Sequence, residues 1–383
     1  MKDIILINIA GEDKAGVTNS ICAVLEKHSA NVLDIGQAVI HETLSLGMLV
    51  EFPDNSQTSD ALKEMLFSID AQGLNVKFTP VQEKDYQHWV DGRRIHKHII
   101  TLLSRRISAQ QIAGITGVIA EAGLNIDRIE RLSGRVPLDE NVAASKACIE
   151  FYVSGAIKDQ AQLRQDFLEL TNTMNADIAF QEDNLFRRTR RLVCFDMDST
   201  LIEAEVIDEL AIAAGVGDQV IAITEAAMRG EIDFTESFAQ RLALLKGLDE
   251  SVLQGIAESL PLTEGVEKLI STLNRYGFKT AILSGGFNYF GNYLKDKLGF
   301  DYVYANELEI ENGKVTGRVK GTVVDGKRKA DLLQEIAAKE GIELDQVVAV
   351  GDGANDLPML SKAGLGIAFR AKPIVKKEAE QSI

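Results

Sequence analysis

Leu192-Val193-Cys194-Phe195-Asp196-Met197-Asp198-Ser199-Thr200 decides the fold of the C-terminal half: an apolar run ends abruptly on a carboxylate, with a second carboxylate two residues on and hydroxyl side chains after it. A short run apolar at every position is the mark of a strand buried on both faces, and hence of a parallel sheet. Two later runs end the same way. Thr280–Leu283 leads into Ser284-Gly285-Gly286, and Val347–Val350 into Gly351-Asp352-Gly353-Ala354-Asn355-Asp356. Ligands of open parallel sheets bind beyond the carboxyl ends of the strands, so the pattern predicts that the three polar clusters converge there. Asp, Ser, Asn and Gly also cap helices and turn chains, and each cluster alone reads as a turn. Three of them, each directly after a strand, read as a site.

Between the first two clusters, Val206 to Leu260 is helix-rich without a comparable strand run, which predicts an insertion over the sheet. Upstream, the basic run Arg187–Arg191 reads as a solvated linker. The N-terminal half reads as strand (Ile4–Ala10), helix (Ala15–His28), strands (Val32–His41 and Leu46–Phe52), helix (Ser59–Ala71) and strand (Leu74–Thr79), a βαββαβ order. A second copy follows at one common offset, Asn125-Ile126 echoing Asn31-Val32 and Ile99 echoing Ile5. It continues through Cys148–Val153, a helix over Gln160–Met174 and a strand near Ile178. The polar stretch Asp85–Arg94 around the lone Trp89 reads as a linker between the copies.

The chain has 383 residues, enough for two or three cores, and a formal net charge of −16. That charge repels phosphate backbones and anionic membranes, so neither nucleic acid nor membrane is expected as a partner. Cys22, Cys148 and Cys194 are odd in number and set in apolar stretches, which suits reduced core residues. The N-terminal apolar run stops at Ala10, too short for a signal peptide, so a cytoplasmic protein is expected.

The residue types define a chemistry. A carboxylate is ionised at neutral pH and can attack phosphorus without a general base. Two anions must then meet, which calls for a hard cation with oxygen ligands; Asp196 and Asp352 supply carboxylates, and Mg²⁺ is the natural choice. Asp198, raised in pKa by neighbouring carboxylates, can hold a proton for a leaving alkoxide and later take one from water. Ser284 with the N–H groups of Gly285 and Gly286 makes an anion cradle. Lys327-Arg328-Lys329 opens a helix whose N-terminal dipole disfavours cations, so each lysine there is either solvated or faces an anion. The residues alone favour the solvated reading and do not choose among the three cations.

These clusters resemble the motifs of the haloacid dehalogenase-like superfamily. With Leu201-Ile202, Glu205, Ala227-Met228-Arg229-Gly230, Phe234, Arg241 and Leu244-Leu245-Lys246, the stretch Arg191–Pro373 resembles phosphoserine phosphatases of the bacterial and archaeal type. The resemblance implies hydrolysis of O-phospho-L-serine through an aspartyl-phosphate, the last step of serine biosynthesis. Asp196 would be the nucleophile and Asp198 the general acid and base. Asp196, the Asp198 carbonyl and Asp352 would bind Mg²⁺, with Asn355 and Asp356 supporting the metal side. Ser284, Gly285 and Lys329 would hold the phosphoryl group, Glu205 the substrate ammonium and Arg241 its carboxylate, while Met228 and Phe234 would help close the cap. Such phosphatases continue past Ala371–Pro373 with a further strand and helix, whereas this sequence ends at Ile383.

The duplicated region resembles ACT domains, βαββαβ modules that bind amino acids. Asp13-Lys14-Ala15-Gly16-Val17 is similar to their ligand loop, which makes Asp13 and Gly16 candidates for binding L-serine as effector. In the second copy Ile107 and Gln110 stand at those positions, which suits packing or formation of a homodimer. The expected class is therefore α/β: a Rossmann-like parallel-sheet hydrolase core (185–383) with a helical cap (about 204–262), preceded by two ferredoxin-like ACT-type domains (1–84 and 96–184) joined by a linker (85–95). The core residues alone leave open a phosphotransferase, a phosphatase for another small phosphometabolite, and a catalytically silent amino-acid sensor.

Overall fold

The computed structural model describes residues 3–53, 55–92, 97–135, 146–228, 231–232, 234–371, 373–379 and 381–383. The chain divides into two compact units, Met1–Ile95 and His96–Ile383.

The first unit runs β1 (Asp3–Glu12), α1 (Val17–Lys27), β2 (Asn31–Ile40), β3 (Thr43–Phe52), α2 (Asn55–Asp70), β4 (Asn75–Val81) and α3 (Glu83–Gly92). Its antiparallel sheet has the order β2-β3-β1-β4. Along β3 every second residue, from Leu44 through Leu46, Met48 and Val50 to Phe52, is buried, the period of a sheet with one covered face. Helix α1 turns Val17, Ile21, Val24 and Leu25 into the same core. Most of the stretch expected as a linker is helical in α3, whose first turn carries Glu83 and Asp85, charges that suit a helix N-terminus.

The second unit opens with the duplicate: β5 (Lys97–Ser104), α4 (Ala109–Glu121), β6 (Asn125–Arg131), β7 (Ala147–Ser154), α5 (Gln160–Met174) and β8 (Asp177–Glu182), in sheet order β6-β7-β5-β8. Then follow β9 (Leu192–Phe195), α6 (Val206–Ala213), α7 (Gly217–Met228), α8 (Phe234–Leu244), α9 (Val252–Ser259), α10 (Val266–Arg275), β10 (Lys279–Phe287) and α11 (Asn288–Leu298). The chain closes with β11 (Tyr302–Glu311), β12 (Lys314–Lys320), α12 (Gly326–Glu340), β13 (Val347–Gly351), α13 (Leu357–Lys362), β14 (Leu365–Ala368), α14 (Pro373–Glu378) and β15 (Gln381–Ser382).

Among the described residues the large sheet has the order β12-β11-β10-β9-β13-β14-β15, parallel throughout except for β12. Strand β9 lies in its middle. Val193 and Phe195 pack on one face with α10, α11 and the cap helices α6, α8 and α9, while Leu192 and Cys194 pack on the other with α12 and α13. That two-sided burial is why the run reads apolar at every position. The β11–β12 hairpin was not anticipated. Its turn is Asn312-Gly313, both with positive φ (51° and 75°), the dipeptide that two-residue hairpins favour. The short helix α14 and strand β15, which pairs with β14, follow Ala371. No described helix is long and apolar enough to cross a membrane.

The basic run is a docking strip and not a solvated linker. Arg187 pairs with Glu150 of β7, Arg188 lies 3.6 Å from Asp183, and Arg190 donates to the carbonyls of Asp345, Val347 and Gly364. The contact is completed by β15. The Gln381 amide donates to the Phe180 carbonyl and accepts the Phe180 N–H at 2.7 Å, closing the free edge of β8. Gln381→Ala leaves that buried N–H and C=O unpaired, at about 1–3 kcal/mol each. We expect a lower urea midpoint and faster hydrogen exchange at the Phe180 amide; unchanged exchange there would show that the contact carries no stability.

Candidate active site

Asp196 leaves the end of β9 with its N–H held by the Val350 carbonyl of β13 at 2.9 Å, which locks it to the neighbouring strand end. Its Oδ1 accepts the Met197 N–H at 2.7 Å, and its Oδ2 lies 2.8 Å from Lys329 Nζ. Lys329 is 0% exposed and also reaches Asp356 Oδ1 at 2.7 Å. The solvated reading favoured by the residues alone is therefore overturned: Lys329 faces two anions. The N-cap Asp325 accepts the Arg328 N–H at 2.7 Å and satisfies the helix end, so α12 can start here and turn its lysine inward.

The third strand end supplies Asp352 and Asp356. Asp356 is fully buried, and its second oxygen accepts the Gly353 N–H at 3.0 Å. A Cβ on Gly351 would collide with the Asp356 carboxylate, and one on Gly326 would collide with the Asn355 carbonyl. The glycines are there so that this loop and the start of α12 can touch. Carboxylate oxygens of Asp196, Asp352 and Asp356 lie within 4.8 Å of one another.

Asp198 Oδ1 accepts the Val206 N–H at 3.0 Å, which ties the strand end to the first turn of the cap. Ser199, with φ of 54°, turns the chain and donates to Glu205 at 2.8 Å. Ser284 is fully buried at the end of β10, and its Oγ accepts the Gly286 N–H at 2.9 Å. A Cβ on Gly286 would lie 2.6 Å from Asp198 Oδ2, so only glycine lets the two strand ends meet.

Above these groups lies a cleft of about 820 Å³. Asp196, Asp198, Glu205, Arg241, Gly285, Asp352 and Asn355 all line it, while Ser284, Lys329 and Asp356 are buried. Arg241 approaches from α8, near Phe238, whose ring centroid lies 6.2 Å from that of Phe287 with the planes tilted by 32°. The side chains of Met228 and Phe234 lie outside the described residues. Sequence reasoning missed Ser199 and Phe238; the position of Ser199 between Asp198 and Glu205 was the available signal for the first.

Electrostatically the site is overloaded with negative charge. Burial and then the Asp356 carboxylate raise Asp196 above the ordinary carboxylate range, against the pull of Lys329. Asp198 is pushed up to about 7 by burial and by Glu205. Asp352 is pushed up to about 6 by burial and then by Asp356 and Glu205. Burial opposes the charge of Lys329, yet Asp196 and Asp356 hold its pKa above the ordinary lysine value. Burial lowers Arg241 from the usual guanidinium value, and Glu205, Asp208 and Asp198 oppose that shift. One lysine cannot neutralise this many carboxylates at the strand ends. An all-oxygen donor set with excess negative charge fits a hard divalent cation. Asp196 and Asp352 line the cleft, whereas Asp356 is fully buried and does not.

In the first unit, Asp13 and Gly16 line a separate hollow of about 460 Å³ with Thr18, Asn19 and Gln37. Gly16 caps α1 with φ of 92° and no side-chain bond. The duplicate caps α4 differently, Ser108 and Gln111 forming a reciprocal capping box. Side chains thus fill the helix start that the first copy leaves open.

The family models that match the chain agree with this geometry: haloacid dehalogenase-like hydrolase over 193–361, and ACT domain over 3–79 and again over 96–181. Fold and site therefore define a haloacid dehalogenase-like hydrolase behind two ACT domains. The phosphoserine phosphatase SerB2 of Mycobacterium tuberculosis is 39% identical over 382 residues, 99% of this chain and 90% of that protein. A phosphoserine phosphatase of Archaeoglobus fulgidus is 52% identical over 61% of this chain and 68% of its own length. Among solved structures, a probable phosphoserine phosphatase from Vibrio cholerae superposes with a TM-score of 0.57 at 34% identity, over 74% of this chain and 82% of that one. The chain belongs to the phosphoserine phosphatase family.

Proposed function

We infer that the chain hydrolyses O-phospho-L-serine to L-serine and phosphate through an aspartyl-phosphate on Asp196. The observation that carries this reading is the arrangement of Asp196, Lys329 and Asp356 at the cleft floor in a chain whose full-length relatives are phosphoserine phosphatases. Asp196 attacks phosphorus, the P–O bond to serine breaks, and Asp198 gives the leaving alkoxide its proton. Asp198 then takes a proton from the water that attacks the phosphoryl group, so phosphate leaves and both carboxyl groups return to their starting state. A side chain that titrates near neutrality suits both steps. Asp196 and Asp352, with the Asp198 main-chain carbonyl, would hold Mg²⁺, and Asp356 would brace them from behind. Bound Mg²⁺ supplies the positive charge that lets a carboxylate and a phosphate monoester approach one another.

Ser284, Gly285 and Lys329 bind the phosphoryl oxygens, and Asn355 lines the same wall. Glu205 faces the substrate ammonium and Arg241 its carboxylate, from the N-cap of α6 and from α8, in the same cleft. Removing one member of a desolvated charge pair costs about 2–5 kcal/mol. Arg241→Ala should therefore lower kcat/KM for phosphoserine while sparing phosphoethanolamine, which has no carboxylate. The assay is run on chelated enzyme with and without added Mg²⁺; equal losses on both substrates would remove the assignment, and turnover without metal would remove Mg²⁺.

The open hollow around Asp13 and Gly16 supports L-serine as an effector that lowers activity, since the product is the simplest feedback signal. Coupling of this kind is typically about 1–3 kcal/mol. Gly16→Leu, which forces a side chain onto a left-handed backbone, should abolish inhibition at serine concentrations below those that compete at the cleft, with the uninhibited rate unchanged. Inhibition that survives the substitution would leave the loop without a sensing role.

A further inference from the structure

The ladder between β10 and β11 breaks where the chemistry begins. Leu283 pairs with Tyr304 and Phe287 with Asn306, so Ser284, Gly285 and Gly286 stand opposite the single residue Ala305 and bulge out of the sheet. A bulge of this kind disrupts the ladder and leaves residues unpaired, and a buried carbonyl left unpaired is costly. The side chain of Asn306, itself 2% exposed, fills the gap. Its Nδ2 donates to the Gly285 carbonyl at 2.7 Å, and its Oδ1 accepts the Val324 N–H at 2.8 Å. Val324 immediately precedes Asp325, the N-cap of the helix that carries Lys329.

The direction of these bonds matters. The Gly285 carbonyl and the Gly286 N–H belong to one peptide group, and the described chain has no cis peptide bonds. In a trans peptide the two point opposite ways. Fastening the carbonyl to Asn306 therefore aims the Gly286 N–H away from β11, toward Ser284 Oγ at 2.9 Å and the side on which Asp198 lies.

We propose that Asn306 is a positioning residue of the phosphoryl site. One buried amide fastens the bulge that carries Ser284 and Gly285 to the segment leading into Lys329, and fixes which way the intervening peptide faces. Asn306 touches no reacting atom and acts through the 285–286 peptide and Val324. The proposal rests on the reading of this strand end as the phosphoryl cradle. It assigns the amide a task that a residue of the same size cannot perform: aspartate keeps an acceptor for Val324 but sets a second acceptor against the Gly285 carbonyl.

The test compares wild-type full-length chain with Asn306→Asp and Asn306→Ala. Affinity for inorganic phosphate is measured by calorimetry with Mg²⁺ present, kcat and KM are measured on phosphoserine and p-nitrophenyl phosphate, and thermal midpoints are recorded alongside. For Asn306→Asp we expect phosphate affinity and kcat/KM to fall on the order of 10- to 100-fold, the size of a lost hydrogen bond to a charged group, and by the same factor on both substrates. Equal loss on both separates a cradle defect from a defect at Arg241. Phosphate affinity and kcat/KM within twofold of wild type in either folded variant would overturn the proposal, as would a loss confined to the thermal midpoint. If one variant does not fold, the other carries the same reading. A wild-type chain that neither binds phosphate nor turns over either ester would overturn the phosphatase reading itself, and this proposal with it.

Discussion

Lys329 sits with no exposure between Asp196 at 2.8 Å and Asp356 at 2.7 Å, and the catalytic half of the molecule is arranged around that ion triad. Three charges removed from water are tolerable only when their geometry is good and their remaining valences are filled. Here Asp196 takes the Met197 N–H and Asp356 the Gly353 N–H. The triad joins β9, the start of α12 and the loop after β13, elements far apart in the chain. Its sum is still negative, and Asp352 and Asp198 beside it make the imbalance larger. That excess of carboxylate repels a dianionic ester and suits a hard cation, which would offset the repulsion.

How much of this was legible in the sequence depended on how local each signal was. The strands β9, β10 and β13 were plain because burial on both faces removes every polar residue from a short run, and the polar residues at their ends followed from sheet topology. Lys329 was not legible from its surroundings. Position at a helix N-terminus argues for solvation, and only its long-range partners, brought by β9 and the loop after β13, reverse the argument. The arginines at 187 and 190 were misjudged for the same reason: Glu150 and the carbonyls of Asp345, Val347 and Gly364 are distant in sequence. The stretch Asp85–Arg94 reads as a linker because it is polar, and most of it is helical, in a helix whose first turn carries Glu83 and Asp85. The Asn312-Gly313 turn was a local signal that went unused.

The two ACT domains differ where function would show. They share element order and sheet order, so duplication preserved the packing of helix on sheet. At the first helix start one copy has a left-handed glycine beside an open hollow, and the other has a closed capping box of Ser108 and Gln111. A capping box satisfies the helix end from within and leaves its N–H groups less available to an outside ligand. The second copy instead meets the catalytic core, through Arg187 and the Gln381 amide.

The account makes Asp196 the atom-level centre of the reaction, and mass spectrometry of acid-quenched enzyme during turnover of phosphoserine tests that most directly. We expect one phosphoryl group, labile to hydroxylamine, on the peptide that contains Asp196, and none in an Asp196→Asn variant that has also lost turnover by several orders of magnitude. A phosphoryl group on any other residue, or full turnover by the asparagine variant, would contradict the account.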